Sequence, residues 1–264
     1  MKKFYVIGNP IEHSLSPKLH NHWFKINNIN AIYDKKKLNE EGIKNIIAEV
    51  REGKVDGLNV TTPFKKSVIP FLDELTNVAS EAHSVNTIYK KKNKVIGHNT
   101  DVSGFELAIK KINTNTNNKV FFILGAGGVV PSILIAIQKM GASKIFISNR
   151  TRDKAENLKK INPNLEVIKW GQAPYFDIIV NATSVGLKKN DEIKLKYNLG
   201  SNKLFFDLIY NPNETKFLME AKKYGNHSEN GKMMFVYQAQ QAFSAWHGIV
   251  PIINDEVIKL LDND

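Results

Sequence analysis

The stretch KVFFILGAGGVVPSILIAIQKMG, Lys119 to Gly141, decides how the second half of this chain is read. It opens with an apolar run of aromatic and branched residues suited to a buried strand. Gly125, Gly127 and Gly128 follow at once, and VVPSILIAIQKM then has helical length and stops at Gly141. Strand, glycine turn and helix are the context of a dinucleotide fingerprint. Its glycines let the backbone approach a pyrophosphate, and amides at the helix start meet the charge. Two residues depart from the pattern. Val130 takes the third fingerprint position, where Gly or Ala normally allows close helix–strand contact. Pro131 lacks an amide hydrogen and biases Val130 away from helical geometry. If Gly127 or Gly128 caps the helix, Pro131 falls at its third or fourth position, near the last amide without an intrahelical partner. The expectation is a tight or slightly distorted helix start. Ala126 then lies in the turn, and the amides of Gly127, Gly128 and Val129 face phosphate. Taken alone, the stretch fits an ordinary strand–helix turn equally well.

The next strand tips the balance. KIFISNRTRDK places Asn149, Arg150, Thr151, Arg152 and Lys154 at and beyond a strand end that carries no acid. An NAD site generally uses Asp or Glu there for the ribose hydroxyls, whereas a 2′-phosphate suits the planar fork of arginine. Cations at a helix start oppose the helix dipole, so a bound anion explains their presence better than chance does. The expected cofactor is NADP.

Working outward, the strands KIFISN, LEVIKW, DIIVNAT and KLFFDLI alternate with helical patterns such as TKFLMEAKKYG, which implies a parallel doubly wound sheet. Upstream, Lys3–Ile7 reads as a strand and Pro17–Asn27 as a helix capped by Ser16. AIYDKKKL reads as a strand, EEGIKNIIAEVREG as a helix burying Ile43, Ile46, Ile47 and Val50, and VDGLNVT as a strand. VIPFLDEL reads as a helix, SVNTIYKKKNKVIGHNT as a β-hairpin, and Val102–Ile112 as a helix. The polar segment NTNTNN, Asn113–Asn118, ends this half. MMFVYQAQQAFSAWHG and a helix near Asp255–Leu261 finish the chain. Two α/β domains follow, divided between Asp101 and Asn118.

Composition narrows the function. With 264 residues, 42% hydrophobic and 24% charged, the chain has the makeup of a globular protein. Gly8-Asn9-Pro10 ends the first apolar run too early for a signal peptide, and no run reaches the roughly 18 apolar residues of a membrane span. The expected location is the cytoplasm, without membrane partners. Absent cysteine excludes thiolate catalysis and Cys-ligated zinc, and the seven histidines, His20 and His22 among them, show no metal-ligand spacing. No metal is expected. The net charge of +11 raises the question of nucleic acid. The runs Lys35–Lys37 and Lys90–Lys92 lack interleaved aromatic residues, so they read as solvated turns, and no nucleic-acid partner is expected. A small anionic ligand gains from the same field.

Four polar patches interrupt the first half: Ser14–Pro17, Asn59–Lys65, Ser84–Thr87 and Asn99–Asp101. Each lies near a strand end, where open α/β sheets border their ligand crevice. Each also has a local reading: serine caps, a threonine turn, Asn86 on backbone, Asp101 capping the next helix. Together they supply hydroxyls, amides, one lysine and one carboxylate, a lining suited to a polyhydroxylated ligand. Gln238 reads either as a satisfied core amide, beside Ala239, Ala242 and Trp246, or as a ligand contact.

The ordered set SLSP, NVTTPFK, SVNT, NTDVSGF, GAGG, NRT, NATSVG, DLIYNPNET and YQAQQAF spans nearly the whole chain and resembles the shikimate/quinate dehydrogenase family. The resemblance implies an N-terminal α/β substrate domain, residues 1–101, completed by C-terminal helices over 235–264. A Rossmann-type NADP domain, residues 102–234, would face it across a cleft. It implies NADPH-dependent reduction of 3-dehydroshikimate to shikimate by a monomer or homodimer. By matched motif, Ser14 and Ser16 would hold the substrate carboxylate. Thr61, Asn86 and Gln238 would bind hydroxyls, Tyr210 would line the cleft, and Lys65 and Asp101 would act at the reacting oxygen. Ala182 and Thr183 of NATSVG would join the cofactor site, as would Met233, which replaces a usual glycine near the nicotinamide. Quinate oxidation is the rival reading. The missing acid after KIFIS argues against its NAD-linked form. A folate-type dehydrogenase leaves SLSP and NVTTPFK unexplained, and a non-enzymatic ligand sensor would not need both Lys65 and Asp101.

Overall fold

A computed structural model describes residues 1–188, 191–193 and 200–262. In chain order its elements begin with β1 (Lys2–Gly8), α1 (Ser16–Ile26), β2 (Ala31–Lys37), α2 (Glu40–Arg51) and β3 (Gly57–Val60). Next come β4 (Glu74–Leu75), α3 (Asn77–Ala82), β5 (Thr87–Lys91), β6 (Lys94–His98) and α4 (Asp101–Lys111). The second series is β7 (Val120–Leu124), α5 (Val130–Lys139), β8 (Lys144–Ser148), α6 (Arg152–Glu156), β9 (Glu166–Ile168), β10 (Ile178–Asn181) and β11 (Leu204–Asp207). α7 (Lys216–Lys223), β12 (His227–Glu229), α8 (Lys232–His247) and α9 (Asp255–Leu260) complete it. The chain divides into two compact units, Met1–Gly104 with Val236–Asp264, and Phe105–Phe235. No helix among the described residues is long and apolar enough to cross a membrane.

The first unit is built on a six-stranded sheet of order β2-β1-β3-β5-β6-β4. β1 pairs parallel with β2 and β3, while β5 runs antiparallel to β3 and β6. The hairpin between β5 and β6 turns on Lys92 and Asn93, both at positive φ (47° and 65°), the two-residue geometry that matches strand twist. α2 is capped by Asn39, whose side chain accepts from the Gly42 amide, and it buries Ile43, Ile46, Ile47 and Val50. These pack with Ile7, Leu58, Val60, Val85 and Ile88 in one apolar cluster. A second, aromatic layer joins α1 and α8 to β1: Phe4 lies 5.4 Å from Phe24 and 4.8 Å from Trp246 between ring centroids.

Two local expectations fail here. VIPFLDEL forms only a tight turn at Ile69–Phe71 and then strand β4. Pro70 cannot continue a hydrogen-bond ladder, and Asp73 ties the segment to β6 through its backbone amide on the Val95 carbonyl and its carboxylate on the Val95 amide. Ser16 does not cap α1. Leu15 holds the cap position, Ser16 is the first helical residue, and its amide donates to Ser14 Oγ at 3.3 Å. Helix α3 had no counterpart in the sequence reading.

The second unit contains an all-parallel six-stranded sheet of order β12-β11-β10-β7-β8-β9. This is the Rossmann order 3-2-1-4-5-6, with the reversal between β7 and β10. Phe122, Leu124, Ile179, Phe205, Phe217 and Leu218 share one core cluster. α5 is buried from Val130 through Ile137, which explains its unbroken apolar sequence. Its cap is Val129, so Pro131 stands at the second helical position, earlier than the third or fourth expected. The start is tight: Val130 N donates to the Gly127 carbonyl, and Ser132 N to that of Val129, both at 3.0 Å.

Candidate active site

In the first unit the strand order brings three sequence-distant loops together. Because β5 is antiparallel to both β3 and β6, Asn86, the residue just before it, lies where β3 ends and β6 ends. The Val85 amide donates to the Lys65 carbonyl at 2.8 Å, which fixes the NVTTPFK segment against SVNT. After β6, Asn99 Oδ1 accepts from the amides of Asp101 (3.0 Å) and Val102 (3.2 Å). Asn99 thereby serves the start of α4, and the Asp101 carboxylate is left to face inward. That answers the local reading of Asp101 as a helix cap.

The Asp101 carboxylate meets two partners. Lys65 Nζ lies 2.6 Å from Oδ2, and Asn86 Nδ2 donates to Oδ1 at 3.0 Å. Lys65 is 8% exposed and Asp101 5%. Two opposite charges withdrawn from water this far hold each other strongly, and either would be costly alone. Asn86 Nδ2 also donates to Thr100 Oγ1 at 2.9 Å and reaches Gln238 Oε1 of α8 at 3.4 Å. Asn86 Oδ1 accepts from the Thr100 amide at 2.8 Å and from Thr87 Oγ1 at 3.1 Å. Lys65, Asn86, Asp101 and Gln238 therefore form one bonded set.

A second polar path reaches Asn86 from α1. Ser16 is buried and its side chain hydrogen-bonds the Tyr33 hydroxyl. Tyr33 Oη donates to Asn59 Oδ1 at 2.7 Å, and Asn59 Nδ2 donates to the Asn86 carbonyl and to Thr87 Oγ1, both at 3.1 Å. Ser14 is half-buried beside it. Thr61 follows β3, with its amide on the Ile7 carbonyl at 2.9 Å. Its methyl group occupies space that only a glycine at position 8 leaves open, 2.5 Å from where a Cβ would stand. Tyr33 and Asn59 carry this arrangement, yet neither stood out as a site residue in the sequence. Asn59 was visible only as part of NVT.

The second unit gathers the remaining candidates, apart from Tyr210 and Met233, just beyond the ends of β7, β8 and β10. Gly125 follows β7 at φ +102°, with a hypothetical Cβ 2.8 Å from the Ala182 carbonyl. That contact explains why glycine stands there: a side chain would collide with the loop after β10. Gly127 and Gly128 are exposed, and a Cβ on Gly128 would meet no atom within 4 Å. Ala126 and Val129 are half-buried around them. The open turn at the head of α5, a ten-residue helix, is a fitting place for a pyrophosphate. Thr183 is held by Asn181, whose Oδ1 accepts from the Thr183 amide at 3.1 Å and hydroxyl at 2.7 Å. Asn181 in turn donates to Asp207 Oδ1 at 3.0 Å. Burial raises the Asp207 carboxyl above its usual range, opposed by hydrogen bonds from Thr215, Ile209 and Asn181. An acid that ends the apolar strand LFFD is a mark the sequence carries of such a loop-holding group, and it was not singled out there.

Arg150, Thr151, Arg152 and Lys154 are exposed after β8, and Asn149 Nδ2 donates to the Thr151 carbonyl at 2.7 Å. Arg152 is engaged with Glu156 through Nε (3.1 Å) and Nη2 (2.8 Å). Exposed cations at a strand end suit a phosphate. Tyr210 belongs to this second unit, where its ring stacks on Phe235 at 4.9 Å and burial pushes its hydroxyl up to about 12. Met233 is half-buried in the first turn of α8. The close approach falls on Gly231, where a Cβ would lie 2.2 Å from the Leu208 carbonyl oxygen. Among the described residues no cluster of three or more His, Cys, Asp or Glu could hold a metal ion.

Both halves of the chain match known protein families. Residues 6–88 match the shikimate dehydrogenase substrate binding domain, and residues 106–215 match the shikimate / quinate 5-dehydrogenase family. A shikimate dehydrogenase (NADP(+)) of Pelagibacter ubique is 56% identical over 262 residues, 99% of each chain. The crystal structure of shikimate dehydrogenase from Aquifex aeolicus superimposes with a TM-score of 0.89 at 35% identity, covering 100% of this chain and 98% of that one. The Thermus thermophilus enzyme, in complex with NADP(H) and shikimate, gives 0.88 at 29% identity, covering 98% and 97%. A full-length relative at this identity, together with matched models in both halves, settles the kinship: this chain belongs to the shikimate dehydrogenase family.

Proposed function

We propose that this protein catalyses the reversible, NADPH-dependent reduction of 3-dehydroshikimate to shikimate, with Lys65 and Asp101 at the reacting oxygen. The observation that carries the reading is the buried Lys65–Asp101 pair, bonded through Asn86 to Gln238. NADPH supplies the hydride. Charge then grows on the ketone oxygen and needs a proton or a fixed cation. Lys65 supplies the proton, and Asp101 orients the ammonium group and accepts from a neighbouring substrate hydroxyl. In the reverse direction Lys65 takes the proton back. Ser14 and Ser16 hold the substrate carboxylate, while Thr61, Asn86, Gln238 and Tyr210 bind or flank the ring hydroxyls.

Residues 1–101 with 235–264 make up the substrate part, and 102–234 the cofactor part. Gly125 to Val129 would cradle the pyrophosphate, and Asn149 to Lys154 the 2′-phosphate. Ala182, Thr183 and Met233 would border the rest of the cofactor. The open glycine turn and the exposed arginines support NADP. We assign the reaction to the cytoplasm, where NADPH serves biosynthesis of aromatic amino acids. One chain carries every residue named here, so a monomer suffices and a homodimer would repeat the site.

The test is steady-state turnover of purified protein with shikimate or quinate, each paired with NADP+ or NAD+. Shikimate with NADP+ is expected to exceed every other pairing in kcat/KM. Preference for quinate with NAD+ would overturn the assignment.

A further inference from the structure

We propose that Tyr33 is a positioning residue for this reaction, setting the direction of the hydrogen bonds that connect Ser16 to Asn86 and Asp101. The inference rests on the reading of Ser16 and Asn86 as substrate-binding groups.

Tyr33 lies on β2 with 1% of its surface exposed. Its ring is clamped by His20, stacked at 4.4 Å with 6° between planes, and Trp246 lies 6.1 Å away. A phenol so enclosed needs hydrogen-bond partners for its hydroxyl. It has two: it donates to Asn59 Oδ1 at 2.7 Å and bonds the Ser16 side chain. Burial keeps that hydroxyl protonated, so its role as donor is fixed.

The consequence runs down the chain of amides. An Asn59 oxygen occupied by Tyr33 leaves the Asn59 amide nitrogen to face the Asn86 carbonyl and Thr87 Oγ1. Thr87, its oxygen accepting, turns its proton to Asn86 Oδ1. Asn86 must then present its nitrogen to Asp101 Oδ1. Every donor points the same way, from Tyr33 toward the carboxylate that holds Lys65. A reversed Asn86 would set oxygen against oxygen beside Asp101. The Thr100 amide gives independent support to Asn86 Oδ1, so losing Tyr33 should weaken the arrangement and not abolish it. Tyr33 touches neither Lys65 nor Asp101 and acts through Ser16 and Asn59.

Tyr33→Phe keeps the stacked ring and removes only the hydroxyl. Measured beside wild type, Asn59→Ala and the Asn59→Ala/Tyr33→Phe double variant, it is expected to lose about tenfold in kcat/KM for shikimate. KM for NADP+ and the melting temperature should stay near wild type. The double variant should fall little beyond Asn59→Ala, because the Tyr33 hydroxyl acts on Asn86 through the Asn59 amide. Three results would overturn the inference: wild-type kcat/KM for shikimate in Tyr33→Phe, losses that multiply in the double variant, or a loss shared equally by KM for NADP+ and melting temperature. A wild-type protein inactive on shikimate would instead sink the proposed function, and this inference with it.

Discussion

Lys65 Nζ lies 2.6 Å from Asp101 Oδ2, with 10% and 8% of the two side chains exposed. The pair closes a contact between residues far apart in sequence, so its strength is tied to the fold as well as the chemistry. Lys65→Met would strand the Asp101 carboxylate, with Asn86 as its remaining side-chain donor. Chemical denaturation should show a loss of about 3–5 kcal/mol, the usual cost of an uncompensated buried charge. Lys65→Met/Asp101→Asn should recover part of it, since neither charge is then buried alone.

Gly125 offers a backbone test of the cofactor turn. At φ +102°, with a Cβ position 2.8 Å from the Ala182 carbonyl, Gly125→Ala must move either the turn or the loop after β10. Such strain costs on the order of 1–3 kcal/mol. Thermal melting should fall, and titration with NADP+ should show weaker binding, while shikimate affinity is retained.

Much of this was legible in the sequence for particular reasons. The apolar runs marked most strands of both sheets, and KVFFILGAGG with KIFISNR marked β7, the glycine turn and β8. Lys65, Asn86 and Asp101 stood out as polar groups interrupting apolar elements. What escaped notice depends on contacts between distant residues. Leu72 and Asp73 leave helical geometry because β6 offers an edge, which no local pattern records. Asn99, not Asp101, serves α4, because both can cap and only the buried lysine decides between them. Tyr33 read as one more aromatic of a strand, since its value lies in Ser16 and Asn59.

The arginines after β8 should contribute unequally. Arg152 is already paired with Glu156 at 2.8 Å, whereas Arg150 is exposed on the loop. Arg150→Ala should raise KM for NADPH about tenfold, the loss of a charge-assisted bond, and leave the weak activity with NADH unchanged. Arg152→Ala should have a smaller effect. Paired measurements of KM for the two cofactors decide it.

Histidine burial predicts an acid-side loss of stability. His20 is fully enclosed among Trp23, Phe24, Tyr33 and Phe243, and burial lowers it to about 3, with a smaller contribution from His247. The folded protein therefore binds fewer protons than the unfolded chain between about 3 and 6.5. Stability is at its full value above the unfolded pKa and falls as pH drops below it, by about 1.4 kcal/mol per pH unit. His247, which burial lowers to about 4, adds to this slope. Urea denaturation at successive pH values should therefore show at least this slope, and His20→Leu should reduce it by about that amount.

The most direct test of the central claim is the rate of NADP+ reduction by shikimate in wild type and Lys65→Met, on protein shown to be folded by its NADP+ binding. Loss of the proton-transferring group should lower kcat at least about a hundredfold, with the shikimate dissociation constant changed less than about tenfold. A Lys65→Met protein that keeps near wild-type kcat would contradict the account.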